Sequence, residues 1–124
     1  MDTNKNIEII EVCPRDGWQN HKVIIPVETK IEYIKKMIDC GPKMVEVTSF
    51  VNPKAVPQMA GAAGVVAGVR DYAAEKGVEI LALTLNKRGV ENAREAGCNF
   101  IEFVVSVSAE HTQRNSNKSI IASF

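Results

Sequence analysis

The sequence predicts an α/β fold built on a parallel sheet, and two features of the chain lead to it. Short runs rich in β-branched residues alternate with longer segments whose apolar residues recur at helical spacing. The strand runs are also nearly continuous in apolar character, the pattern of strands covered on both faces by crossover helices. The order reads strand, helix, strand, helix, strand, helix, strand, then the start of a further helix. A barrel and an open sheet both satisfy it, and in either one the loops after the strands' C-terminal ends form the functional rim.

Residues 7–12 (Ile-Glu-Ile-Ile-Glu-Val) are the first expected strand. Pro14 and Gly17 break it and open a loop through Pro26. A helix follows over 28–40, with Ile31, Ile34 and Ile38 on one face and Lys30, Glu32, Lys35 and Lys36 mostly off it. Gly41-Pro42 stops that helix. Residues 43–48 are the second strand, and 49–59, with Pro53 and Pro57, an irregular loop with room for a short helical turn.

The second helix covers 60–76 and packs through Val65, Val66, Val69 and Tyr72. Gly61, Gly64 and Gly68 each weaken it by about 1 kcal/mol relative to alanine, yet the apolar period still favours helix, with Gly77 as its C-cap. Residues 78–84 form the third strand, 87–96 a helix ended by Gly97, and 99–107 the fourth strand. A polar loop over 108–117 leads to Ser116 or Asn117, either of which can cap a helix beginning near Lys118.

The 124 residues make one ordinary domain, 45% hydrophobic and 24% charged, a composition that supports a packed core. Fifteen basic and fifteen acidic residues cancel, so no electrostatic argument favours nucleic acid or an anionic membrane. Cys13, Cys40 and Cys98 are widely spaced with no Cys-x-x-Cys pair, which points to free thiols in a reducing compartment. No secretory apolar segment opens the chain and no run approaches bilayer length, so a cytoplasmic location is expected. Asn117-Lys118-Ser119 then matches a glycosylation sequon by chance.

The first strand leads into Val12-Cys13-Pro14-Arg15-Asp16-Gly17-Trp18-Gln19-Asn20. An aspartate at a strand end can hold a hard cation through oxygen, and the adjacent arginine can neutralise a developing oxyanion. Taken alone, the pair is more readily a surface ion pair in a turn. Glu46 sits between Val45 and Val47 in a strand buried on both faces, where a carboxylate needs a partner; Arg15 is the obvious one. Thr48, Ser49, Asn86 and Ser108 also follow strand ends. Glu11 and Glu102 read as structural or rim residues.

Other groups carry less. His21 and His111 are far apart, each in a loop, and lack the i, i+2 or i, i+4 spacing of a metal pair. Cys13 has no base near it in sequence and reads as a structural thiol. The glycines over 61–68 match neither a dinucleotide fingerprint nor a Walker loop.

The segment 11–20 (Glu-Val-Cys-Pro-Arg-Asp-Gly-Trp-Gln-Asn) resembles the opening motif of the hydroxymethylglutaryl-CoA lyase family, and 45–59 (Val-Glu-Val-Thr-Ser-Phe-Val-Asn-Pro-Lys-Ala-Val-Pro-Gln-Met) resembles its second-strand segment. The resemblance runs along essentially the whole chain. It implies a (β/α)8 TIM barrel of which this chain supplies about the first four β/α units, so that residues 1–124 are the N-terminal half of a catalytic domain. It also implies a retro-Claisen cleavage of a 3-hydroxy-3-methylglutaryl-type acyl-CoA to acetyl-CoA and a 3-keto acid.

By that resemblance Asp16 would be a ligand of a divalent cation, Mg²⁺ or Mn²⁺, and Arg15 would stabilise the departing enolate. Gln19 would orient groups around that centre, Glu46 would hold Arg15, and Thr48, Ser49, Asn86 and Asn115 would be weaker candidates for substrate contacts. The family's other metal ligands, a His-x-His pair and an asparagine, and its catalytic cysteine loop have no counterpart here. The expected partners are therefore an acyl-CoA substrate and the missing C-terminal half of the barrel, with a homo-oligomer at full length and no activity from this chain alone. Two alternatives are a Claisen-type synthase of the same superfamily and a non-enzymatic half-barrel that binds acyl-CoA or a partner.

Overall fold

The computed structural model describes residues 7–105 and shows four strands in one parallel sheet, in the order β1-β2-β3-β4. These are β1 (Ile10–Glu11), β2 (Met44–Phe50), β3 (Glu79–Thr84) and β4 (Phe100–Phe103), alternating with helices α1 (Val27–Asp39), α2 (Ala62–Lys76) and α3 (Lys87–Ala96). Sequential strand order is what successive units of a (β/α)8 barrel give; the doubly wound sheet would reverse direction at a switch point. Adjacent helices touch, α1 on α2 and α2 on α3, along one face of the sheet.

The core lies between that face and the helices. Ile34 and Ile38 of α1 and Val65, Val66 and Val69 of α2 pack with Val45, Val47 and Ile80 of the strands. The Ile34/Ile38 periodicity and the valines of α2 therefore bury as their spacing predicts. The glycines of α2 have a use that propensity alone does not show: a Cβ at Gly68 would lie 2.3 Å from Ile31 Cδ1, so its absence lets α1 and α2 close together. The helix begins at Ala62 rather than 60, because Gly61 takes φ +76, outside the helical region.

Three local expectations need correction. The first strand is two residues long, not six. It is an edge strand whose pairing with β2 stops where the Val12 carbonyl turns to accept the Arg15 and Asp16 amides at 3.1 and 2.8 Å. The segment after it is not an open loop: Cys13–Gly17 forms one wide helical turn, with Pro14 at its start where a missing N–H costs nothing. Cys13 is the first residue of that turn.

The third correction concerns Lys30, which the helical pattern placed off the apolar face but which is buried, its Nζ donating to the Gln58 carbonyl. The third helix, by contrast, has the bounds its sequence predicts, and the 3₁₀ turn at Pro57–Met59 is the short turn allowed for in the second loop. Residues 106–107 of the expected fourth strand, Ser108, His111, Asn115 and the helix start near Lys118 lie outside the described residues. Among the described residues no helix is long and apolar enough to cross a membrane.

The face of the sheet opposite the helices is concave-side surface in a barrel. Register pairs place Glu46, Leu81 and Phe100 in one row there and Ser49, Leu83 and Glu102 in the next. Among the described residues nothing covers it fully: Phe100 is 49% exposed and Ile10 50%.

Candidate active site

Arg15 is aimed by its helical turn. Its Nε donates to Glu46 Oε1, and its Nη1 donates to Asp16 Oδ1 at 3.2 Å. Glu46, 2% exposed, is the anchor, whereas Asp16 is 68% exposed and open to a ligand. The pairing expected from Val45-Glu46-Val47 is therefore present, and a guanidinium fork is the cation best suited to it. Burial pushes the Glu46 carboxyl above its ordinary value, Arg15 opposes that, and the nearby Glu102 carboxylate adds to it.

Beyond Glu46 the strand changes parity. A β-bulge falls between Glu46 and Thr48, so that Glu46 pairs with Leu81, Thr48 with Ala82 and Ser49 with Leu83. Ala82 belongs to the core beneath the helices, and Thr48 accordingly faces that way, its Oγ1 donating to Met59 Sδ at 3.9 Å. Ser49 comes round to the face of Glu46. It is fully buried, and its Oγ has no partner among the described residues. Both residues were expected in or beside a loop; β2 in fact runs through Phe50, and the bulge divides their roles.

The remaining candidates sit as follows. Gln19 is half-buried at the end of the helical turn that carries Arg15. Asn86 is the N-cap of α3, its Oδ1 accepting from the Gly89 amide at 2.8 Å, so its side-chain oxygen already has a structural use. His21 is exposed with Nδ1 2.9 Å from the Val23 carbonyl oxygen.

Two of the thiols are poor nucleophiles. Cys98 is pushed up to about 11 by burial, and Cys13 is raised by burial and then by the charge of Glu11.

Sequence reasoning missed one organising residue. Gln58 Nε2 donates to the His21 and Val23 carbonyls at 3.0 and 2.9 Å, and its Oε1 accepts from the Ile25 amide at 2.9 Å. This side chain, its own carbonyl held by buried Lys30, fastens the loop after the Arg15 turn to the loop after β2. A lone glutamine after a proline gives no pattern from which to read that.

As a cation site the residues are a fit for one ligand. Asp16 offers a carboxylate at the rim with its second oxygen uncommitted to Arg15, which suits a hard ion. Glu46 is taken by Arg15. Among the described residues no three His, Cys, Asp or Glu side chains gather in a metal-binding group, so further ligands would have to come from elsewhere.

The HMGL-like family model matches residues 6–124. The hydroxymethylglutaryl-CoA lyase of Bacillus subtilis is 44% identical over 119 residues, 96% of this chain and 39% of that protein. The cytoplasmic 3-hydroxy-3-methylglutaryl-CoA lyase of Mus musculus is 43% identical over 114 residues, 92% of this chain and 32% of that one. Among solved structures, an HMG-CoA lyase from Acinetobacter baumannii in complex with coenzyme A and 3-methylmalate superposes with a TM-score of 0.89 at 32% identity, covering 94% of this chain and 37% of that one. The chain thus spans roughly two fifths or less of the length of these relatives.

Proposed function

Because the chain belongs to the HMGL-like family, we propose that it supplies the first four β/α units of a lyase barrel that cleaves a 3-hydroxy-3-methylglutaryl-type acyl-CoA. The observation that carries this reading is the Arg15–Glu46 pair at the strand-end rim with Asp16 beside it. Asp16 would hold one Mg²⁺ or Mn²⁺, which when bound lowers the pKa of a coordinated hydroxyl and chelates the substrate. Arg15 meets the thioester oxygen, where negative charge grows as the carbon–carbon bond breaks and the acetyl enolate departs. Glu46 holds the guanidinium at that angle before substrate arrives, so that no reorganisation is required in the transition state.

Gln19 orients groups around that centre, and Ser49 and Asn115 are the further substrate contacts of this reading. Ser49 is the best supported, since its buried hydroxyl faces the Arg15 side without a partner of its own among the described residues. The base that accepts the hydroxyl proton and the other metal ligands belong to the remainder of the barrel, which is the partner this half requires. Three thiols without a close-spaced pair and a cytoplasmic mouse relative support a cytoplasmic location. The 124-residue chain by itself is expected to be inactive.

A hybrid barrel tests the proposal. Residues 6–124 replace the matching segment of the Bacillus subtilis lyase, and cleavage of 3-hydroxy-3-methylglutaryl-CoA is followed with Mg²⁺ or Mn²⁺ present. Acetyl-CoA release by the folded hybrid supports the reading. A folded hybrid that releases none defeats it.

A further inference from the structure

Glu102 has no part in the site just described, yet the sheet places it opposite that site. Glu46 pairs with Leu81 on one side of β3, and Glu102 pairs with Leu83 on the other. Leu81 and Leu83 are two residues apart on a regular strand, so both carboxylates rise from the same face. Beyond the effect of burial, Glu102 across β3 is the carboxylate that acts on Glu46, pushing it above its ordinary value.

The charged surroundings of Glu46 can be named element by element. The helical turn contributes Arg15, with Asp16 behind it on the same guanidinium. The fourth strand contributes Glu102, and β3 presents only Leu81 and Leu83 between the two carboxylates. Glu11 of β1 is turned to the Cys13 amide, which it accepts at 2.8 Å.

We infer that Glu102 is a positioning residue that competes with Arg15 for the Glu46 carboxylate and so sets how firmly Arg15 is held. The inference rests on the role proposed above for Arg15. Two carboxylates that face each other across one strand repel unless they share a proton. With one proton, taken from solvent, bridging the pair, the ionic hold on Arg15 relaxes and its guanidinium turns more freely to a substrate oxygen. With both ionised, Arg15 is the only counter-charge paired with Glu46 among the described residues and stays locked against it. Burial raises the Glu46 carboxyl above its ordinary value, Arg15 acts against that, and Glu102 adds to the rise.

The test is a carboxyl titration by ¹³C NMR of the glutamate-labelled full chain, with Glu46→Gln identifying the Glu46 resonance. Glu102→Gln, at an exposed position, is expected to lower the Glu46 midpoint and to slow exchange of the Arg15 Nε proton. Glu102→Asp, a shorter carboxylate, is expected to restore part of the wild-type midpoint. A Glu46 midpoint unmoved by Glu102→Gln overturns the inference. The same titration in the hybrid barrel separates the two proposals: no cleavage with the midpoint shift present defeats only the lyase reading, and cleavage without the shift defeats only this one.

Discussion

Glu46 and Ser49 share one face of the sheet although they are three residues apart, because a β-bulge lies between them. Simple alternation would have paired Glu46 with Thr48. The bulge sends Thr48 to the helix side against Met59 and delivers a hydroxyl without a partner among the described residues to the side where Arg15 is held. Bulges concentrate beside active sites because they re-aim a side chain, and this one does so for Ser49. In the hybrid barrel Ser49→Ala should therefore raise KM or lower kcat, while Thr48→Val should leave both near the parent values. Equal effects from the two would mean that the parity change has no functional consequence.

Removing either member of the Arg15–Glu46 pair should destabilise the fold unequally. Arg15→Met leaves a buried carboxylate without its cation, a loss of about 3 kcal/mol at neutral pH by denaturant unfolding. The loss should shrink in acid. The folded-state pKa of Glu46 is already raised above its ordinary 4.5, and without Arg15 it rises further. A group raised in this way contributes its stability below the unfolded-state pKa and loses it as pH climbs through the folded-state value. The variant should thus approach the parent as pH falls toward 4.5 and below. A gap that is constant with pH would show that Glu46 is not the ionised partner.

Two glycines of α2 make a matched pair. Gly68→Ala drives a Cβ into Ile31, with Cδ1 at 2.3 Å and Cγ1 at 2.8 Å, and should destabilise by about 1–3 kcal/mol. Gly64→Ala meets only Val27 Cγ1 at 3.6 Å, an ordinary contact, and should stabilise by about 0.5–1 kcal/mol. Thermal midpoints of the two variants should move in opposite directions. A common direction would contradict the packing of α1 on α2.

Asn86 is expected to act through the helix it caps. Asn86→Ala should lower stability by about 1 kcal/mol and Asn86→Asp should recover most of it, since an aspartate accepts from the Gly89 amide equally well. A loss of substrate affinity in Asn86→Asp with stability restored would return Asn86 to the substrate contacts.

Thiol labelling follows exposure and pKa. At mildly alkaline pH Cys40, the exposed thiol, should react first, Cys13 more slowly, and Cys98, pushed up to about 11, last. Cys40→Ser should remove the fast phase and leave the slow ones. A fast phase that survives it would place reactivity at Cys13, beside the candidate site.

Much of this was legible in the residues, and the reasons differ by element. Helices α1 to α3 show through spacing, since Ile34 and Ile38 or Val65, Val66 and Val69 must share a face to be buried. The Arg15–Glu46 pair was legible because a carboxylate between two valines demands a cation and only one stood at the neighbouring strand end. Lys30 was not legible: its burial depends on the Gln58 carbonyl from a loop 28 residues away, and no local pattern encodes such a contact. The bulge in β2 was equally hidden. Residues 43–48 read as an unbroken strand that gives way to a loop, and the extra residue shows only in register with β3. Glu102 shares the apolar setting of Glu46, but which carboxylates meet is decided by the order of strands around the sheet.

The most direct measurement of the central claim is steady-state cleavage by the hybrid barrel carrying Arg15→Met, compared with the unaltered hybrid at saturating metal. An arginine that stabilises the enolate oxygen in the transition state should cost on the order of 10²–10³ in kcat with a much smaller change in KM. A kcat within a few-fold of the parent, in a variant shown to be folded, would contradict the account.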